Sequence, residues 1–82
     1  MNISDKVKSV LKVSGLNQNA LAENFGMTKQ TMSNKMSRES WSAGDLIRVA
    51  NLVGGKLAFV LPDGTTIYFD PEDATNRKSA GE

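Results

Sequence analysis

Eighty-two residues make one small domain, and a chain of this length buries only ~60–65% of its unfolded surface. It contains neither cysteine nor histidine, which excludes disulfides, thiolate metal sites, the commonest general base and the commonest transition-metal ligand, so no metal or cofactor is expected. The net charge is +1, no apolar run nears the ~20 residues of a membrane span, and residues 1–10 lack a signal-peptide core, so the expectation is a cytoplasmic protein with no membrane partner.

The charge is unevenly distributed. Residues 1–56 hold eight Lys/Arg against four Asp/Glu, whereas residues 57–82 hold two against five. Either the two ends have different electrostatic tasks or a short chain has separated its charges by chance.

In chain order, Ile3, Val7, Val10 and Leu11 fall on one stripe of a first helix, about 4–14, with Ser4 placed to cap it and Ser14–Gly15 to stop it. Asp5 in the first turn and Lys12 near the end suit the helix dipole. Lys6, Lys8 and Lys12 read as an ordinary solvent face. Asn17 caps a second short helix, QNALAENF, whose inward residues are Leu21, Ala22 and Phe25, and Gly26 ends it. Thr28 caps a third helix over 29–37, with Met32 and Met36 as its inward pair one turn apart. Ser42 and Asp45 form the capping box of a fourth helix, with Trp41 and Leu46 at the two staple positions. Its apolar face is Leu46, Ile47, Val49, Ala50 and Val53, closed by Gly54–Gly55.

From Lys56 the period changes to that of a strand. Pro62-Asp63-Gly64 predicts a type I turn with glycine at the bulge, a three-residue hairpin loop that pairs Leu61 with Thr65, Phe59 with Ile67 and Leu57 with Phe69. That register puts Leu57, Phe59, Ile67 and Phe69 on one face. The last segment, PEDATNRKSAGE, has nothing to bury and reads as a disordered tail over 71–82.

The chemistry concentrates in the third helix. Residues 27–38 include Lys29, Lys35 and Arg38 and no Asp or Glu. A helix entering the major groove must offer donors and acceptors to base edges without presenting carboxylates to phosphates. Gln30 and Asn34 are four apart, hence on one face, and their amides can pair with adenine; the alternative is that they form an ordinary solvated face. The second helix begins behind an Asn cap, so its first N–H groups can meet a phosphate.

The stretch QNALAENFGMTKQTMSNKM resembles the helix-turn-helix of the phage lambda repressor/Cro-like family. Gln18, Leu21, Ala22, Gly26, Met27, Thr28, Met32 and Ser33 stand at the places of that pattern. The resemblance spans the four helices, about 4–54, and leaves the hairpin uncovered. It implies a mainly α fold, a lambda-repressor-like helix-turn-helix bundle of about four helices, to which the strand pattern over 56–70 adds a C-terminal β-hairpin. The domain organisation follows: a DNA-binding domain over 1–55, a hairpin over 56–70 as the dimerisation element of the same domain, and the tail over 71–82.

The resemblance also implies roles for particular residues. Lys29, Gln30 and Asn34 would read bases. Gln18, Thr28, Thr31, Lys35, Ser37 and Arg38 would hold phosphate or backbone, with Gln18 at the head of the second helix. Many members carry a bulky apolar residue where Lys35 stands, and Met36 takes over that packing here.

A DNA-binding transcriptional regulator of the repressor kind, acting on double-stranded DNA as a homodimer, is therefore the expected function. The alternative is an antitoxin or adaptor whose hairpin and acidic tail cover a partner protein. An enzyme is not expected, because the sequence offers no acid/base pair, metal cluster or phosphate loop, and no small-molecule ligand is evident. A lone two-stranded hairpin is marginal in water, so Leu57, Phe59, Ile67 and Phe69 need a cover, either this chain's own helices or a second copy's hairpin. Two-fold association would set two recognition helices about one DNA turn, ~34 Å, apart.

Overall fold

The computed structural model describes residues 2–74. Four helices precede a two-stranded antiparallel sheet: α1 (Ile3–Val13), α2 (Gln18–Asn24), α3 (Lys29–Arg38), α4 (Ala43–Leu52), β1 (Ala58–Val60) and β2 (Thr66–Tyr68), followed by a 3-10 turn over Pro71–Ala74. The chain divides into two compact units between Trp41 and Ser42.

In the first unit the interior is Val7, Leu11, Leu21, Ala22, Phe25, Met32 and Met36, with Leu21 and Met32 fully buried. The buried side of α1 differs from the expected stripe. Ile3 and Val10 are 42% and 40% exposed, and Ser4 is buried in their stead. Ser4 is not the cap of α1, as the spacing suggested. Asn2 is the cap, its side-chain oxygen accepting the N–H of Asp5 at 2.8 Å. The helix turns inward on Ser4, Val7 and Leu11 because the Ser4 hydroxyl has partners inside: it donates to the Met36 carbonyl at 2.6 Å and accepts from Trp41 Nε1 at 3.0 Å.

Replacing Ser4 by alanine should therefore cost about 2 kcal/mol, since it strips a carbonyl and an indole N–H of their partner at once. In a domain of this size that lowers the melting temperature by roughly 8–16 °C. A thermal midpoint equal to that of the unsubstituted chain would show the hydroxyl to be dispensable.

The link between α2 and α3 is set by short-range chemistry. Asn17 caps α2, accepting from Ala20 N–H at 2.9 Å. At the other end the Met27 N–H reaches the Ala22 carbonyl at 2.9 Å and the Gly26 N–H the Glu23 carbonyl at 3.1 Å, the doubled closure that a left-handed residue permits. Gly26 supplies it at φ +68°, a conformation that burdens any residue with a Cβ. Thr28 then caps α3, accepting from the Thr31 N–H at 3.1 Å. The helix runs to Arg38, one residue beyond the expected end.

In the second unit Ser42 and Asp45 form the reciprocal capping box at the head of α4, at 3.0 and 3.1 Å, and Ile47 and Val49 are buried. The hairpin has the expected register, with Phe59 opposite Ile67. Bonds from Leu61 N–H to the Thr65 carbonyl and from Phe69 N–H to the Leu57 carbonyl, both 2.8 Å, extend it on either side. Gly64 takes φ +94° in the loop, and its N–H closes on the Leu61 carbonyl at 2.9 Å. Phe59 and Phe69 share a face, their ring centres 5.4 Å apart.

The Asp63 carboxylate accepts the Thr65 N–H at 2.9 Å, and this bond holds its pKa below the ordinary value of 3.8. Its contribution to hairpin stability is thus complete above that value and lost as pH falls through the lower, folded one. The Thr65 amide proton shift should titrate with a midpoint below 3.8. A midpoint at or above it would mean that the bond does not persist in solution.

The tail departs from expectation over its first four residues. Pro71–Ala74 form a 3-10 turn that packs on α4. Asp73 caps it through the Asp70 N–H at 2.8 Å, and Gly44 lets it close in, because a Cβ there would lie 3.2 Å from the Ala74 carbonyl oxygen. A polar segment is ordered here by local capping and by a missing side chain on the opposite helix. The remaining expectation of disorder, over 75–82, lies outside the described residues.

Candidate nucleic-acid interface

At about 100° per residue, Met32 and Met36 point to one side of α3, and Gln30 and Asn34 fall on the side opposite. Both methionines are buried, while Lys29, Gln30, Thr31, Asn34, Ser37 and Arg38 are all exposed. Gln30 and Asn34 are therefore together on the outer face of one helix whose inner face anchors it, while Lys29, exposed in the first turn, falls by the same spacing nearer the methionine side. Gln30 Nε2 donates to Asn34 Oδ1 at 3.2 Å. The bond fixes how the two amides present themselves and leaves the Gln30 carbonyl and the Asn34 nitrogen outside it.

Among the residues expected to hold phosphate, several have engagements of their own. The Thr28 hydroxyl donates to Thr31 Oγ1 at 2.9 Å while accepting the Thr31 N–H. Gln18, half-buried, opens α2 at its N-terminal turn. Lys35 is half-buried; its ammonium donates to the Ser40 carbonyl at 2.6 Å and lies 5.2 Å from the centre of the Trp41 ring. Its charge is thus drawn to the C-terminal end of α3, where a cation is favoured. Arg38 remains exposed on that same last turn. Met27, Thr31, Asn34, Lys35, Arg38 and Ser40 line one groove of about 260 Å³, a concavity lined by two cationic, two hydroxyl and one amide residue beside a methionine.

One carboxylate lies close to this face, on Glu39. Both its oxygens are turned toward the start of α1, where they accept the N–H groups of Ile3 and Ser4 at 3.0 and 3.2 Å. The sequence pattern does not single out Glu39 or the partners of Ser4, because each depends on a residue some 35 positions away. The only local signal is the absence of glycine after the third helix, in contrast to the other three.

The four expected interface residues of the hairpin divide by exposure. Phe59 and Ile67 are 60% and 54% exposed, and Leu57 and Phe69 are half-buried. Val60 and Tyr68 are also exposed, so the hairpin shows apolar surface on both faces.

A capped helix, a glycine turn and a second helix whose outer face carries amides, hydroxyls and cations but no acid constitute a helix-turn-helix unit of the DNA-binding kind. The family model of the bacteriophage CI repressor helix-turn-helix domain matches residues 5–64, and the chain belongs to that family. It is a family of DNA-binding regulators of the repressor type and not one of enzymes. No curated protein and no solved structure gives a significant match. Among the described residues, no helix is long and apolar enough to cross a membrane.

Proposed function

We propose that the chain is a sequence-specific repressor that inserts α3 into the major groove of double-stranded DNA and acts as a homodimer through its hairpin. The observation that carries this reading is the outer face of α3, where Gln30 and Asn34 stand opposite the buried Met32 and Met36 with no carboxylate on the helix. In this reading Lys29, Gln30 and Asn34 contact base edges. Arg38, Thr31 and Ser37 contact backbone, Gln18 brings the N-terminus of α2 to a phosphate, and Thr28 contributes through the cap that shapes that turn. Lys35 acts on phosphate from its position over Trp41, so it adds charge at one fixed point of the groove.

The homodimer is supported by the exposed apolar pair Phe59 and Ile67, which stand opposite each other on one face of the hairpin. A single domain seldom leaves such a cluster in water. In the dimer, Leu57, Phe59, Ile67 and Phe69 face the second copy.

Selection of bound duplexes from a random pool tests the whole reading. The expected product is a two-fold symmetric site with half-sites about one helical turn apart. Recovery of no preferred sequence, at a salt concentration where DNA is bound, would reject it.

A further inference from the structure

Three of the four helices end on glycine at positive φ: Gly15 at +75°, Gly26 at +68° and Gly54 at +76°. α3 ends instead on Glu39, at φ 57°, the single non-glycine residue at positive φ among those described. A side chain in that region is disfavoured, and it persists where the surroundings hold it. The holding group is the N-terminus of α1, whose Ile3 and Ser4 N–H groups donate to the two carboxylate oxygens. The charge thereby meets the positive end of the helix dipole and satisfies two donors that a helix start leaves open. Next to it the Ser4 hydroxyl, buried, donates to the carbonyl of Met36 and accepts from Trp41. Four hydrogen bonds thus converge where the last turn of α3 meets the first turn of α1.

We propose that Glu39 is a positioning residue for sequence reading: it sets the orientation of α3 on α1, and so the place of Gln30 and Asn34, without contacting DNA. The proposal rests on α3 being the reading helix. Local capping does not account for a glutamate here, since glycine closes the other three helices in the same conformation without strain. The carboxylate does account for it. Asn34 lies about one turn from Arg38, so a swing of the C-terminal end moves the amides directly, and paired hydrogen bonds to a base edge require close placement.

Glu39→Gly keeps the turn and removes the carboxylate; Glu39→Gln keeps one acceptor oxygen without the charge. Both are made in the full chain. Affinity is measured for the duplex that the unsubstituted chain selects from a random pool and for a scrambled duplex of equal length. Residual dipolar couplings of residues 3–13 and 29–38 are measured without DNA.

The expected Glu39→Gly protein folds, with a denaturation midpoint near that of the parent because relief of strain offsets the lost cap. Its selected-to-scrambled affinity ratio falls roughly tenfold, the equivalent of about one good base contact, while scrambled binding is unchanged. The couplings of α3 shift relative to α1, and Glu39→Gln lies between. An undiminished ratio, or couplings unchanged from the parent, overturns the positioning role. A parent chain that selects no sequence rejects the reading of α3 as the DNA-reading helix, and the couplings then decide the orientation on their own.

Discussion

With Arg38 replaced by alanine, binding to cognate and random duplexes is expected to weaken alike, and the salt dependence to flatten by about two units of slope per dimer, one per lost phosphate contact. With Gln30 replaced by alanine the pattern should be different. Preference is lost at one position of each half-site, by ~1–3 kcal/mol per contact, with little change on random DNA. The contrast follows from where the two side chains stand. Arg38 is an exposed cation on the last turn, beside a groove it shares with Lys35. Gln30 is on the outward centre of the helix, tied to Asn34 at 3.2 Å. Binding isotherms at several salt concentrations separate them. Equal losses on both duplexes for both variants would mean that α3 is only a solvated face.

The second large effect is expected at the hairpin. Phe59 is 60% exposed next to Ile67 at 54%, so Phe59→Asp places a charge at the centre of the proposed dimer surface while removing little buried area from the chain itself. Sedimentation should then give a folded monomer at concentrations where the parent is dimeric. Affinity for a full two-fold site should fall on the order of a hundredfold, because the second half-site is no longer bound as an intramolecular step. Helix content should remain that of the parent. A Phe59→Asp protein that still sediments as a dimer would place the interface elsewhere.

Much of this architecture is legible in the sequence, because its punctuation is local. Asn17, Thr28 and the Ser42–Asp45 pair each act within three residues of themselves, and all cap the helices expected of them. The hairpin register follows from the length of one loop, Pro62-Asp63-Gly64, and from the glycine that ends it. Ser4 is the instructive failure. As a serine ahead of an apolar stripe it has the credentials of a cap, yet Trp41, far along the chain, makes it a buried hub and hands the capping task to Asn2. Glu39 is hidden for the same reason, since a surface glutamate and a tertiary cap are the same letter. Of the candidate site, the placement of Gln30 and Asn34 was readable from helical spacing alone. The tethering of Lys35 to Ser40 and Trp41 was not, because it depends on how the chain turns after α3.

Met32 and Met36 hold α3 in place, whereas Gln30 and Asn34 on its far side bond to each other and contribute nothing to the interior. On the proposed reading, stability and recognition are written on opposite sides of one helix. On that reading, substitutions at Gln30 and Asn34 leave the interior untouched, so a lineage carrying this domain can acquire new operators one base at a time without passing through unfolded intermediates. The inner side has no such freedom, and divergence between relatives should therefore run along the helix in stripes.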